Sequence, residues 1–139
     1  NDTWLLLRGM RTLPMRLEKS AGNAEKLINW LEQHPKVEKI IYPFHHSHPQ
    51  FELAKKQMQR GSGLFAVLLK TQDKNKIEAF CNKLQRFLLA VSWGGYESLV
   101  FPACIKEGSD YPVNFVRFYA GLEGADVLIE DINQAFSEL

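Results

Sequence analysis

The first quarter of the chain repeats its apolar side chains every three or four positions, and no later segment does so for as long. Leu6, Met10, Leu13, Leu17, Ala24, Ile28 and Leu31 fall on one stripe of a helix running from about residue 3 to residue 33. An apolar stripe of that length has to be covered, and only short apolar runs follow it. Pro14 lies inside the pattern and predicts a kink or a break between two helices, while Ala21-Gly22-Asn23 interrupts it more softly. Such a segment suits an arm that joins the rest of the chain to something upstream.

The remaining pattern alternates. Val37 to Tyr42 reads as a strand ending at Pro43, followed by the polar loop His45-His46-Ser47-His48-Pro49 and a short helix over about 50–59. Arg60-Gly61-Ser62-Gly63 breaks the chain before Leu64–Leu69, its clearest strand. Ile77, Phe80, Cys81 and Leu84 lie on one face of a helix opened by Thr71-Gln72-Asp73. Phe87 to Val91 is a further strand leading into Ser92. A polar loop, Lys106 to Pro112, precedes a strand containing Arg117, and a last helix spans about 124–138. The order is helix, strand, helix, strand, helix, strand, strand, helix. It predicts a single α/β (α+β) domain over 1–139: a two-layer sandwich whose small, mainly antiparallel sheet has helices on one face, with 1–33 as a long kinked N-terminal helix.

Composition narrows the function classes. A net charge of +1 over 139 residues gives no electrostatic footprint for nucleic acid or a membrane surface. No apolar run approaches the ~20 residues needed to cross a bilayer, and the Leu5-Leu6-Leu7 run is too short for a signal peptide. Two cysteines make no disulfide framework, so a cytoplasmic protein with reduced thiols is the expectation. His45, His46 and His48 invite a metal, but adjacent histidines on an open loop face one ion with difficulty. No cysteine or carboxylate stands near them at a ligand spacing, so they read as a solvated loop and no metal site is expected.

Two segments carry the candidate chemistry. Ser92-Trp93-Gly94-Gly95-Tyr96-Glu97-Ser98-Leu99 places a hydroxyl and an indole just before a Gly-Gly pair, where backbone turns tightly and approaches a ligand closely. Phe115 to Glu123 is strand-like, with one arginine in its middle. Alternation puts Arg117 on a face with Phe115 and Tyr119, and Val116, Phe118 and Ala120 on the other. A guanidinium in such a strand is paired with an acid or free to bind one. Either Glu97 or Glu123 pairs with it, or it grips a small carboxylate through its planar fork, with Ser92 as a second donor. Trp93 is a core residue or an apolar wall of that pocket. Neither Ser92 nor Ser98 sits in a Gly-x-Ser-x-Gly elbow, and Gly61-Ser62-Gly63 precedes a strand rather than a helix, so hydrolytic catalysis and dinucleotide binding find no support.

Leu7 to Leu13, His34-Pro35-Lys36-Val37, Ser47-His48-Pro49-Gln50, Gly61 to Phe65, Ser92 to Leu99 and Val116 to Glu123 occur in this order. The series resembles the C-terminal part of the pyridoxal phosphate enzymes of cysteine and methionine metabolism, over essentially the whole chain. That family includes cystathionine beta-lyases, gamma-synthases and gamma-lyases and methionine gamma-lyases. The run beginning at Ser92 is most similar to that of bacterial beta-lyases, since other relatives more often carry leucine at the position of Trp93.

The resemblance implies that Arg117 binds the substrate α-carboxylate, that Ser92 lies at the same carboxylate, and that Trp93 lines the substrate pocket. Val91 departs from the pattern, because gamma-synthases and gamma-lyases tend to have glutamate there and enteric beta-lyases tyrosine. Gly124 stands where many relatives open the last helix with an acid, a difference expected to touch helix capping. The resemblance also implies a carbon–sulfur lyase that converts cystathionine to homocysteine, pyruvate and ammonia. Its partner would be a small sulfur amino acid, and the parent a homotetramer. The family's cofactor lysine follows Ser-x-Thr, and none of the eleven lysines here follows a threonine. Pyridoxal phosphate is therefore expected on a missing N-terminal domain, and this chain is expected to be inactive alone. The alternatives are the same domain of a gamma-synthase or gamma-lyase, or a free-standing module binding an amino acid or a protein.

Overall fold

Pro14 decides how the N-terminal stripe divides. In the computed structural model, which describes residues 1–139, one helix (α1, Asp2–Arg11) ends at Thr12. A second (α2, Leu13–Glu32) begins with Pro14 in its first turn. There the missing N–H is one that a helix leaves unpaired anyway, so proline starts α2 rather than distorting it. At Ala21-Gly22-Asn23, by contrast, α2 continues without interruption. This corrects the expected soft break. Ser20, Ala21 and Asn23 are buried because the helix crosses the chain leaving the sheet at this point. Ser20 Oγ donates to the Ala120 carbonyl, and Asn23 Nδ2 donates to the Gly121 carbonyl at 2.9 Å. Small and polar side chains bring the helix within hydrogen-bonding distance there, where larger apolar ones would hold it off.

Five strands form one sheet in the order β1 (Val37–Ile41), β2 (Leu64–Leu69), β5 (Phe115–Tyr119), β4 (Ser98–Pro102), β3 (Phe87–Leu89). All neighbouring pairs are antiparallel except β3–β4, which is parallel. The helices between them are α3 (Phe51–Gln57), α4 (Lys74–Lys83) and α5 (Ala125–Ala135). The mainly antiparallel sheet is as expected, but it has five strands where the sequence suggests four. The addition is β4, whose apolar run of Leu99-Val100-Phe101 is short and closes at Pro102, a residue with no N–H to continue a ladder. The bounds of three elements also differ. β1 ends one residue before Tyr42, β3 ends two residues before Val91, and α3 is shorter at both ends than the expected 50–59.

α2, α4 and α5 cover one face of the sheet. Their apolar sides meet the inward side chains of all five strands in a core of 23 buried residues that includes Leu27, Leu31, Val67, Phe80, Val116 and Leu128. Phe118 is at its centre, 1% exposed, with the rings of Phe65, Phe87 and Phe80 at centroid distances of 5.5, 5.2 and 6.5 Å. Truncating such a side chain to alanine costs ~3–5 kcal/mol. Asp73 caps α4, its Oδ1 accepting from the backbone N–H of Asn75 at 2.9 Å and of Lys76 at 3.4 Å. Gly124 opens α5 at φ +114°, a conformation that L side chains rarely adopt, which is why glycine rather than an acid stands there.

The opposite face of the sheet has no helix layer. Leu64, Leu68, Phe101, Phe115 and Arg117 are only half-buried on it. α1 has no buried residue either, and Trp4, Leu5, Leu6, Leu7 and Met10 are each more than half exposed. No helix is long and apolar enough to cross a membrane.

Candidate functional site on the open sheet face

Arg117 projects from β5, the central strand, with Ala66 of β2 and Phe101 of β4 as its cross-strand neighbours. The Phe101 ring lies under the guanidinium carbon, 5.3 Å from it, and holds the planar group by cation–π attraction. Nη2 donates to the Val91 carbonyl and, at 3.4 Å, to the Ala90 carbonyl. Both acceptors are neutral. Nε and Nη1 have no protein acceptor, and no carboxylate forms an ion pair with Arg117.

The ion-pair alternative is therefore overturned, and the reason is geometric. Glu123 is engaged with Ser98, its Oε1 accepting from the Ser98 N–H and its Oε2 from Ser98 Oγ, both at 2.8 Å. Glu97 folds back over Gly95. A guanidinium fixed by two carbonyls and a ring, with donors left over and its charge uncompensated, is arranged to receive an anion.

Two clefts meet at Arg117. One, of about 540 Å³, runs between the open sheet face and the start of α2 and includes Leu17, Tyr42, Met58, Leu64 and Phe115. The other, of about 450 Å³, lies under the 106–112 loop and includes Val91, Phe101, Lys106, Asp110 and Tyr111. Tyr111 stacks on Phe115 at 4.4 Å between ring centroids and separates the two.

Ser92 follows the carbonyl that Arg117 holds, is exposed, and has no hydrogen bond within the chain, to Arg117 or to any other group. Trp93 is 55% exposed and lies on neither cleft wall, so it is not a core residue. Its ring is 6.4 Å from that of Tyr119, on Arg117's face of β5. Tyr119 OH in turn donates to the Gly95 carbonyl at 3.1 Å and ties the turn to the strand. The structure thus brings the Ser92 turn to the Arg117 strand through Val91, Tyr119 and the Ser98–Glu123 pair.

The histidine loop differs from its expectation as solvated. His46 is exposed, but His45 is buried, with Nδ1 2.8 Å from Ser47 Oγ.

Residues 1–137 match the family described as Cys/Met metabolism PLP-dependent enzyme. The chain belongs to this family. It is 38% identical to the cystathionine beta-lyase of Coxiella burnetii over 96% of the chain and 37% of the relative. It is 34% identical to the L-alanine/L-glutamate racemase of Wolbachia pipientis, over 100% and 36%. With the cystathionine gamma-lyase of Sus scrofa the identity is 38%, over 96% and 35%. Among solved structures, metB from Corynebacterium glutamicum superposes with a TM-score of 0.86 at 33% identity, covering 94% of this chain and 35% of that one. The chain thus spans little more than a third of the length of these relatives.

Pyridoxal phosphate is the cofactor of the Cys/Met metabolism family. The residues present here do not form a site for it. A Schiff-base lysine sits in a pocket, yet ten of the eleven lysines are exposed, and Lys36, the half-buried one, donates Nζ to the Phe136 carbonyl. Lys106 is the one lysine on the clefts beside Arg117, and it lies exposed on their rim. The N-terminus of α4 is occupied by the Asp73 carboxylate, which leaves it no room to cradle a phosphate.

Sequence reasoning missed Phe101 because it missed β4, the strand whose register puts that ring under Arg117. It also missed the Ser98–Glu123 lock, although both residues stood in the two motifs it singled out.

Proposed function

We propose that this chain is the C-terminal, substrate-carboxylate-binding part of a cytoplasmic, pyridoxal phosphate-dependent carbon–sulfur lyase of the cystathionine beta-lyase kind, inactive by itself. The observation that carries the reading is the guanidinium of Arg117, held in place yet without an acid. Its Nε and Nη1 are left without a protein acceptor, so a substrate carboxylate meets a cation with unused N–H donors. Ser92 adds a hydroxyl at the same end of the substrate, and Trp93, outside both clefts but 6.4 Å from Tyr119 on the Arg117 face, lines the pocket that the complete protein closes there.

Arg117 binds the amino acid by its α-carboxylate and sets the orientation of the bonds at Cα, a positioning effect that involves no proton transfer. The cofactor supplies the electron sink for the chemistry at Cα and is held by the rest of the protein. The exposed apolar row from Trp4 to Met10 seats against that remainder, or against a neighbouring subunit of a homotetramer.

The product of cystathionine cleavage tests the specificity. A beta-lyase gives homocysteine and pyruvate. A gamma-lyase, favoured as the second reading by the equal identity to the pig enzyme, gives cysteine and 2-oxobutyrate. The domain assignment is tested in the reading frame, where an upstream lysine in a Ser-x-Thr-Lys context is expected. A start codon near residue 1 with no such lysine contradicts it and leaves a free-standing binding module. In solution, pyridoxal phosphate added to these 139 residues is expected to give no saturable lysine-bound band. A stoichiometric band reducible at a single lysine overturns the claim that the cofactor is held elsewhere.

A further inference from the structure

A second cluster stands apart from Arg117, where the end of α2 meets the 43–50 loop. Glu32 closes α2, and His45 and His46 reach it from the loop, thirteen and fourteen residues on in sequence. His45 Nε2 is 3.2 Å from Glu32 Oε1, and His46 Nε2 is 3.6 Å from the same oxygen. The three ligating atoms all lie within 4.8 Å of one another. In a tetrahedral site with bonds of about 2.0–2.1 Å, neighbouring ligand atoms stand about 3.3 Å apart. The two distances to Glu32 bracket that edge.

His45 supplies the independent sign. It is 8% exposed, yet its Nε2 is fully buried without a hydrogen-bond partner, because the approach to Glu32 lacks hydrogen-bond direction. A buried polar nitrogen left in that state is costly. An ion between the imidazole and the carboxylate removes the cost, since the nitrogen lone pair then points at the metal and not at the oxygen. Nδ1 is 2.8 Å from Ser47 Oγ, with the Ser47 N–H a longer 3.4 Å away, and the tautomer in which Nδ1 donates to the hydroxyl leaves Nε2 free to coordinate. His46 is exposed, so its ring can adjust to close the third edge and a fourth position stays open to water. Charges beside the cluster are of both signs: Glu25 and Lys55 line one adjoining cleft, and Glu38 and Lys39 the other.

We propose that Glu32, His45 and His46 form a binding site for a divalent transition metal ion of the zinc class. Two imidazoles and one carboxylate are borderline ligands suited to Zn²⁺, and to Ni²⁺ or Cu²⁺, and poorly suited to Mg²⁺ or Ca²⁺. The bound ion fastens the C-terminal end of α2 to the 43–50 loop. The site is independent of the Arg117 clefts, so it stands or falls apart from the lyase assignment.

The test is calorimetric titration of Zn²⁺ into the untagged, chelator-stripped chain. One saturable site is expected, with a dissociation constant on the order of 10 μM or tighter. His46→Ala is the decisive variant, because His46 is exposed and its loss leaves the core intact. His46→Ala and Glu32→Gln are each expected to weaken binding by at least ~10-fold, and Ser47→Ala by about the same factor through His45. His48→Ala, with Nδ1 already accepting from the Gln50 N–H, is expected to bind as the wild type does. Absence of a saturable site, wild-type affinity in both His46→Ala and Glu32→Gln, or an equal loss in His48→Ala overturns the proposal.

Discussion

Glu123 holds Ser98 twice, accepting from its N–H and from its hydroxyl at 2.8 Å each, and Ser98 Oγ accepts from the Gly121 N–H at the same distance. Ser98 has no solvent exposure, so this group of bonds is sheltered from water. It joins the segment containing Ser92 to the segment containing Arg117 and keeps Glu123 away from the guanidinium. The same contact therefore stabilises the fold and leaves the anion site uncompensated.

Ser98→Ala is expected to cost about 2 kcal/mol, within a range of ~1–3, because it strands the buried Gly121 N–H. Glu123→Ala should cost a similar amount. Urea unfolding of the two single variants and the double variant checks this. The double variant is expected to lose less than the sum, by ~0.5–3 kcal/mol. Simple additivity contradicts the lock.

Gly121→Ala probes the same junction by size. A Cβ there would meet the Tyr96 carbonyl oxygen and would come within 2.6 Å of the Glu97 carbonyl carbon, both backbone atoms that cannot swing aside. Overpacking of this kind costs ~1–3 kcal/mol, and the lost stability should appear in the urea midpoint. An unchanged midpoint means that the two segments are not pressed together as described.

The cysteines should differ in reactivity. Burial pushes the Cys81 thiol up to about 12, with Cys104 and Glu78 adding to the shift. At pH 8 the thiol therefore stays protonated and unreactive. Cys104, less buried, is also raised, chiefly by burial. Iodoacetamide at pH 8 should label Cys104 slowly and Cys81 only on unfolding. Equal rates for the two in the native protein contradict the packing of α4.

His34 gives the stability a pH dependence. Burial first, and then the charge of Lys36, hold its pKa below the ordinary 6.5. The unfolded chain therefore takes up the proton more readily. Its contribution is complete above pH 6.5 and is lost as the pH falls from there through the lowered folded value. The ring stacks on Phe136 at 4.0 Å, so His34→Phe keeps the stack without the titration. The stability difference between wild type and variant should shift against the wild type as the pH falls through this window. A difference independent of pH contradicts the assignment.

Much of this was legible in the residues. Pro14, the Asp73 cap and the run Leu64–Leu69 each state a local preference that the fold keeps. The alternation around Arg117 placed its side chain opposite Val116 and Phe118 correctly, because one face of the sheet is packed and the other is not. What remained hidden depends on partners distant in sequence. β4 is a strand because β3 and β5 flank it, and three apolar residues before a proline do not announce that. The polar stretch of α2 looked like an interruption because its partners, the carbonyls of Ala120 and Gly121, are about a hundred residues away. Glu32 could not be joined to the histidines by spacing, since the turn after α2 and strand β1 lie between them.

The central claim is that Arg117 binds the α-carboxylate of the substrate, and kinetics of the full-length protein tests it most directly. Arg117→Ala is expected to lower kcat/KM for cystathionine by at least ~100-fold, about 2.7 kcal/mol, and Arg117→Lys to recover little of it. Towards an analogue whose α-carboxylate is replaced by a carboxamide, wild type and variant should act almost alike. A loss within about threefold for cystathionine, or an equal loss for both compounds, contradicts the account.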